Sequence, residues 1–345
     1  KIWNLETGQE KSTLTGHSDS VHAVALTPDG RYVISGSSDN TLKIWNLETG
    51  QEKSTLTGHS NSVEAVALTP DGRYVISGSS DNTLKVWNLK TGQEKSTLTG
   101  HSHWVYAVAL TPDGKYVISG SSDNTLKIWN LETGQEKSTL TGHSASVQAV
   151  AVTPDAKYVI SGSRDNTLKV WNLETGQEKF TLTGHSNSVE AVVLTPDGKY
   201  VISGSRDNTL KVWNLETGQE KSTLTGHSHW VYAVALTPDG KYVISGSSDN
   251  TLKIWNLETG QEKSTLTGHS ASVQAVAVTP GAKYVISGSW DNTLKVWNLE
   301  TGEVITSFTV DGALLCCAVA RDGVTIAVGD ATGRIHFLRL EGMEA

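Results

Sequence analysis

Residues 16–57, GHSDSVHAVALTPDGRYVISGSSDNTLKIWNLETGQEKSTLT, decide the fold. Turn signals cut this stretch into four short pieces. Val21 to Leu26 and Tyr32 to Ser37 are separated by Thr-Pro-Asp-Gly, in which proline presets one backbone angle and glycine supplies a positive one. Asp39-Asn40 breaks the chain again before Thr41 to Leu47, and Glu-Thr-Gly-Gln leads into Gln51 to Thr57. The first and third pieces carry apolar residues on both alternating sets, as strands covered on both faces do, whereas the fourth is mostly polar. The pattern predicts four antiparallel strands, buried at one edge and wet at the other.

Trp-Asn recurs every 42 residues, so the 345-residue chain holds about 8.2 copies of this unit. A four-stranded unit repeated at that spacing is the blade of a β-propeller, and the expected fold is an all-β, eight-bladed ring. Seven full units occupy residues 17–310, and residues 311–340 supply three more strands. Residues 9–15 are then expected to add the missing fourth strand of the last blade, which would close the ring and remove open sheet edges. Residues 1–5 repeat a third strand whose place is taken, so they are expected to be displaced or poorly ordered. Residues 341–345 form a tail. A start in the middle of a unit, without Met, points to a longer parent chain. In the last unit Asp311 is read at the His place, Arg321-Asp322 at the Thr-Pro place and Phe337 at the Trp place, as in an atypical terminal repeat.

Composition narrows the function classes. Charges of 28 basic against 36 acidic give a net of −8, unfavourable for a phosphate backbone. No stretch approaches the length of a membrane span, and no leader precedes the first unit. The only cysteines, Cys316 and Cys317, are adjacent and predicted to be inert thiols on opposite faces of one strand, consistent with a cytoplasmic setting. No metal-ligand spacing and no phosphate-binding loop is present, and no metal or cofactor is expected.

Gly-His at His17, His59, His101, His143, His185, His227 and His269, with Trp at Trp45, Trp87, Trp129, Trp171, Trp213, Trp255 and Trp297, resembles the WD-repeat family over the whole chain. That resemblance implies a structural network of His17, Ser35, Asp39 and Trp45, repeated in the next six units. A Ser, His and Asp in one blade is superficially acyl-transfer machinery, but the four side chains can satisfy one another in a buried chain of hydrogen bonds. Either Ser35 or Ser37 could supply the hydroxyl; the family pattern favours Ser35. The tail LeuLeuCysCysAlaValAlaArgAspGly with GlyArgIleHisPheLeuArgLeu is similar to WD-repeat regions that end bacterial, cyanobacterial-type STAND signalling proteins. This resemblance implies a sensor role behind nucleotide-binding and effector domains.

The sister units share one scaffold, so their differences mark what the scaffold does not dictate. The variable positions are His22, Glu64, His103, Trp104, Tyr106, Gln148, Glu190, His229, Trp230, Tyr232 and Gln274 near the Gly-His loops. To these the second turn adds Arg164, Arg206 and Trp290. Antiparallel topology places both groups on one face of the disc. Exposed Trp, Tyr and Arg are typical binding anchors, so this face is predicted to recognise a protein or peptide without catalysis. Carbohydrate binding is the alternative, and a propeller hydrolase a weaker one. Units 101–142 and 227–268 are identical, the product of a three-unit duplication. Their aromatic clusters, about 135° apart in an even eight-blade ring, are expected to be two similar subsites.

Overall fold

The computed structural model describes residues 2–4, 9–12 and 14–340, with backbone pairing only for those before Gly16. Blade 1 consists of Val21–Leu26, Tyr32–Ser37, Leu42–Asn46 and Glu52–Leu56, each hydrogen-bonded to the next. Six further four-stranded sheets follow in the same order, with inner strands starting at Val63, Val105, Val147, Val189, Val231 and Val273. Blade 8 is built on Leu314–Val319, Thr325–Asp330 and Arg334–Arg339. The protein is an eight-bladed all-β propeller.

Local chemistry sets each turn. The Thr27 amide bonds to the Tyr32 carbonyl at 3.0 Å, and the Thr27 hydroxyl donates to Asp29 Oδ1 at 2.6 Å. Gly30 takes φ 68°, and Asn40 carries φ 70° in the next turn, the conformation Asn tolerates best among residues with a Cβ. Asn46 Oδ1 accepts the amides of Glu48 and Thr49, both at 2.9 Å. Capping requires only a side-chain oxygen, so Trp-Asn serves as well as Trp-Asp.

The cores lie between blades. Ile34, Leu42, Ile44 and Leu56 of blade 1 pack on Val63, Val75, Trp87 and Leu89 of blade 2. Blade 8 is sealed to both neighbours: Leu314, Ile326, Val328 and Leu338 pack on blade 7, while Ala327, Ile335 and Phe337 pack on Val21, Val33 and Trp45 of blade 1. Close approach demands glycine on the second strand, since a Cβ on Gly36 would meet Val63 Cγ1 at 2.6 Å.

The last blade departs from the sequence reading in three ways. Leu338 pairs with Ile326 as Trp45 pairs with Val33, so Leu338, not Phe337, takes the Trp place. Ala320-Arg321, not Arg321-Asp322, takes the Thr-Pro place, because the Ala320 amide bonds to Thr325 as Thr27 does to Tyr32. Counted back from the inner strand, Asp311 falls at the place of Ser18 rather than His17. The loop entering this blade is shorter by one residue, which breaks the 42-residue frame and accounts for the first-turn and His-place readings; the reading of Phe337 fell one residue short of the Trp place.

Beside the third strand of blade 8, the N-terminal segment is divided. Leu14 and Thr15 pair antiparallel with Ile335 and Arg334, while Ile2–Asn4 run parallel to Phe337–Arg339. Gln9–Ser12 pair with Ile2–Asn4 instead of with blade 8. Ile2–Asn4 therefore lie beside, not in, the third-strand place of blade 8, and residues 9–15 do not act as one strand. Residues 341–345 lie outside the described residues.

Candidate functional site

The Ser-His-Asp constellation is built identically in seven blades. In blade 1, His17 Nε2 lies 2.7 Å from Ser35 Oγ, His17 Nδ1 lies 2.8 Å from Asp39 Oδ2, and Trp45 Nε1 donates to Ser35 Oγ at 2.9 Å. Ser35 is the hydroxyl of the network. Ser37 instead donates to the Asp19 carbonyl at 2.8 Å and accepts the Asp39 amide at 3.1 Å. Burial holds the His17 and His269 imidazoles below their ordinary value, against the pull of Asp39 and Asp291. Burial opposes ionisation of Asp291, yet hydrogen bonds from Thr293, the Ser270 amide and His269 hold its carboxyl at about 2. A neutral imidazole on an ionised carboxylate is the arrangement of a catalytic triad, but Ser35 is 0% exposed and already accepts an indole N–H. A substrate carbonyl has no route to it, and the network ties the third strand to the Gly-His loop.

In blade 8, Val328 stands at the Ser35 place and Leu338 at the Trp45 place, so these partners are missing. Asp330 accepts from His336 at 2.8 Å, from Thr332 and from the Arg334 amide, anchoring the same corner differently.

The variable residues share one face. The Ser38 amide bonds to the Ser20 carbonyl at 2.9 Å, joining the second turn to the Gly-His loop, and Ser122 to Trp104, Arg164 to Ser146 and Trp290 to Ser272 repeat this link. His22, Glu64, Tyr106, Gln148, Glu190, Tyr232 and Gln274 each occupy a β-bulge, skipped between paired neighbours on the inner strand. A bulge frees a side chain from the alternating pattern and re-aims it, here where the inner strand enters the face. The same geometry gives Leu315 this position in blade 8, a rim residue missed from sequence because the shorter loop hid its alignment.

Blades 1 and 2 carry polar groups at this rim, joined where Ser38 Oγ lies 3.2 Å from Ser62 Oγ. His22 Nε2 lies 2.7 Å from Ser38 Oγ, and Ser80 donates to Glu64 at 2.8 Å. Blades 3 to 7 carry the aromatic and cationic groups. In blade 3, Trp104 is 42% exposed, tilted against His103 at 5.3 Å and edge-on to Tyr106 at 6.0 Å. Arg164 of blade 4 leans back over the Tyr106 ring at 5.9 Å. In blade 6, His229, Trp230 and Tyr232 repeat the cluster, with centroids 5.0 and 6.1 Å apart. Here Arg206 of blade 5 leans forward, 4.8 Å over Trp230 and 5.9 Å from Tyr232, while its Nε donates to Glu190 at 2.6 Å. Trp230 is half-buried, and Trp290 of blade 7 is 51% exposed. Gln274 donates to Ser272 at 2.8 Å, whereas the buried amide nitrogen of Gln148 meets no acceptor. The two clusters are therefore unlike, contrary to the expectation of similar subsites.

The opposite face holds clefts between blades. One of about 490 Å³ between blades 1 and 2 is lined by Pro28, Asp29, Tyr32, Lys53, Arg73 and Lys90. Lys53 sits 4.4 Å over Tyr32 and donates to the Leu89 carbonyl of blade 2, a strap repeated in blades 2 to 6. Its signal in the sequence was the Tyr and Lys shared by the first six units. Phe180 replaces the outer-strand Ser of its sisters and packs against Gly218 of blade 5.

Cys316 packs toward blade 1 and Cys317 toward blade 7, and burial pushes the Cys317 thiol up to about 12. Among the described residues, no cluster of His, Cys, Asp or Glu is placed to hold a metal ion, and no helix is long and apolar enough to cross a membrane.

Comparison with known proteins agrees with this geometry. The sequence matches the WDR3 first beta-propeller domain over residues 87–257 and 125–299. It matches the WD domain, G-beta repeat, at 8–46 and 50–88, and the TEP-1 C-terminal beta-propeller at 269–340. No curated protein matches significantly. The crystal structure of the computationally designed Ika8 protein is 34% identical, covers 96% of this chain and 100% of its own, and superposes with a TM-score of 0.87. Networked blades, inter-blade cores and these matches lead to one conclusion: the chain belongs to the WD40-repeat β-propeller family.

Proposed function

We propose that this propeller is a non-catalytic recognition scaffold that binds a protein or peptide on the rim carrying the Gly-His loops. The observation that carries this reading is the exposure of Trp104 and Trp290 where sister blades place Ser, Ala or Arg. Nothing in the blade interior requires an indole there, and exposed aromatic residues beside arginines are the anchors from which binding hot spots are made. The buried serines and histidines argue against hydrolysis, because each is consumed by the structural network. In this reading the domain is the cytoplasmic, ligand-sensing C-terminal part of a bacterial STAND signalling protein, joined to nucleotide-binding and effector domains. The resemblance of residues 314–340 to such C-termini supports it.

Selection of a randomised peptide display library on the purified protein tests the rim. Selected peptides are expected to lose about tenfold or more in affinity on Trp104→Ala. Peptides indifferent to both Trp104→Ala and Trp290→Ala would place recognition elsewhere. Hits on a glycan array with no peptide selected would replace peptide by carbohydrate.

A further inference from the structure

Blades 4 and 5 carry an arginine at the same place, Arg164 and Arg206, sixteen residues after the bulge residue of the inner strand. In blade 5 that bulge residue is Glu190, and the arginine is neutralised within its own blade at 2.6 Å. In blade 4 it is Gln148, which cannot neutralise a cation. Arg164 is exposed and rests on the Tyr106 ring, with no carboxylate at ion-pairing distance among the described residues. The Gln148 amide nitrogen beside it is buried and has no acceptor. The sister junction of blades 6 and 7 lacks this character: Gln274 is bonded to Ser272, and Trp290 stands where Arg164 would be.

One junction of the ring is thus rich in donors and short of acceptors. A guanidinium needs an anion, preferably planar and bidentate, and a primary amide needs an acceptor. A carboxylate offers two oxygens in one plane and satisfies both. The aromatic wall of Trp104 and Tyr106 excludes water from one side of that pair and gives room for the methylenes of a longer acidic side chain.

Resting on the rim reading above, we propose that the junction of blades 3 and 4 binds an acidic side chain of an extended peptide from a protein partner. Arg164 pairs with the carboxylate, Gln148 donates to it, and Trp104 and Tyr106 pack against the stem. The aromatic cluster of blade 6 is closed to this chemistry because Arg206 is already paired. The net charge of −8 does not oppose the assignment, since Arg164 would meet the ligand carboxylate directly, while Glu64, the carboxylate that also acts on Tyr106, is bonded to Ser80.

The test uses the whole chain and the display library. Peptides selected on the wild-type protein are expected to be enriched in Asp and Glu. Gln148→Glu recreates the self-neutralised arrangement of blade 5, which the scaffold tolerates there, so the variant folds with an unchanged melting temperature. It is expected to bind the selected acidic peptide about tenfold more weakly, as does Arg164→Gln. Arg164→Lys falls between, and Arg206→Gln changes affinity by less than about twofold. Peptides that depend on Trp104 but show no acidic enrichment would overturn the carboxylate assignment and leave the rim reading standing. Acidic peptides whose affinity ignores both Gln148→Glu and Arg164→Gln would overturn it too. Peptides that ignore Trp104 as well would remove both.

Discussion

Blades 3 and 6 have identical sequences, yet their rims differ. Trp104 is 42% exposed beside the unpaired Arg164, whereas Trp230 is half-buried beneath the neutralised Arg206. Inside the same two blades the network is the same: His101 and His227 each lie 2.7 Å from their serines, and each Trp donates at 2.9 Å. A propeller blade therefore determines its own interior, while the chemistry of its rim belongs to the junction with its neighbours.

The largest expected effect tests the interior. Ser119→Ala strands the Trp129 N–H and leaves His101 Nε2 without a donor, at a cost of about 2–4 kcal/mol in chemical denaturation. Ser245→Ala should cost the same to within about 0.5 kcal/mol. A clear inequality would mean that the interior is not autonomous.

Acid tests the same network in blades 1 and 7. Folding lowers the His17 and His269 pKa values, so stability declines as the pH falls below the ordinary histidine value and the unfolded chain takes up protons first. Asp291 is held at about 2, so its contribution is intact above the ordinary carboxyl value and is lost as the pH falls through that window. Thermal unfolding should therefore give a lower midpoint at pH 4 than at pH 7.5; a flat profile would contradict the neutral-imidazole assignment.

Backbone strain offers a smaller, opposite shift. Ala156 and Ala282 replace glycine at φ 56° and 53° in the sister blades 4 and 7. Ala156→Gly and Ala282→Gly are each expected to stabilise by about 0.5–1 kcal/mol, since the left-handed conformation costs an alanine more than the added chain freedom of glycine. The smallest effect sharpens the comparison directly. Trp230→Ala should destabilise by about 1 kcal/mol through the lost Arg206 contact, and Trp104→Ala by less than about 0.5 kcal/mol.

The distribution of what could be read from sequence follows the same division. Period, strand order and the His17, Ser35, Asp39 and Trp45 network were legible because each rests on chemistry within one unit, repeated seven times. The last blade was misread because a loop shorter by one residue shifted the frame under Asp311 and Arg321-Asp322, and because Phe337, the aromatic residue, was read for its neighbour Leu338. The rim positions were legible as variable, but not their pairing. Arg164 leans back to blade 3 and Arg206 forward to blade 6, and only the Gln148 and Glu190 difference beside them hints at why. The inter-blade clefts of the opposite face went unseen because uniform residues drew no attention.

That opposite face supplies the decisive control. For a peptide selected on the wild-type protein, dissociation constants should be measured in parallel for Trp104→Ala on the Gly-His rim and Lys90→Glu in the cleft between blades 1 and 2. Recognition by the rim predicts a loss of about tenfold or more for Trp104→Ala and no change for Lys90→Glu. A peptide that ignores Trp104→Ala and is lost on Lys90→Glu would contradict it.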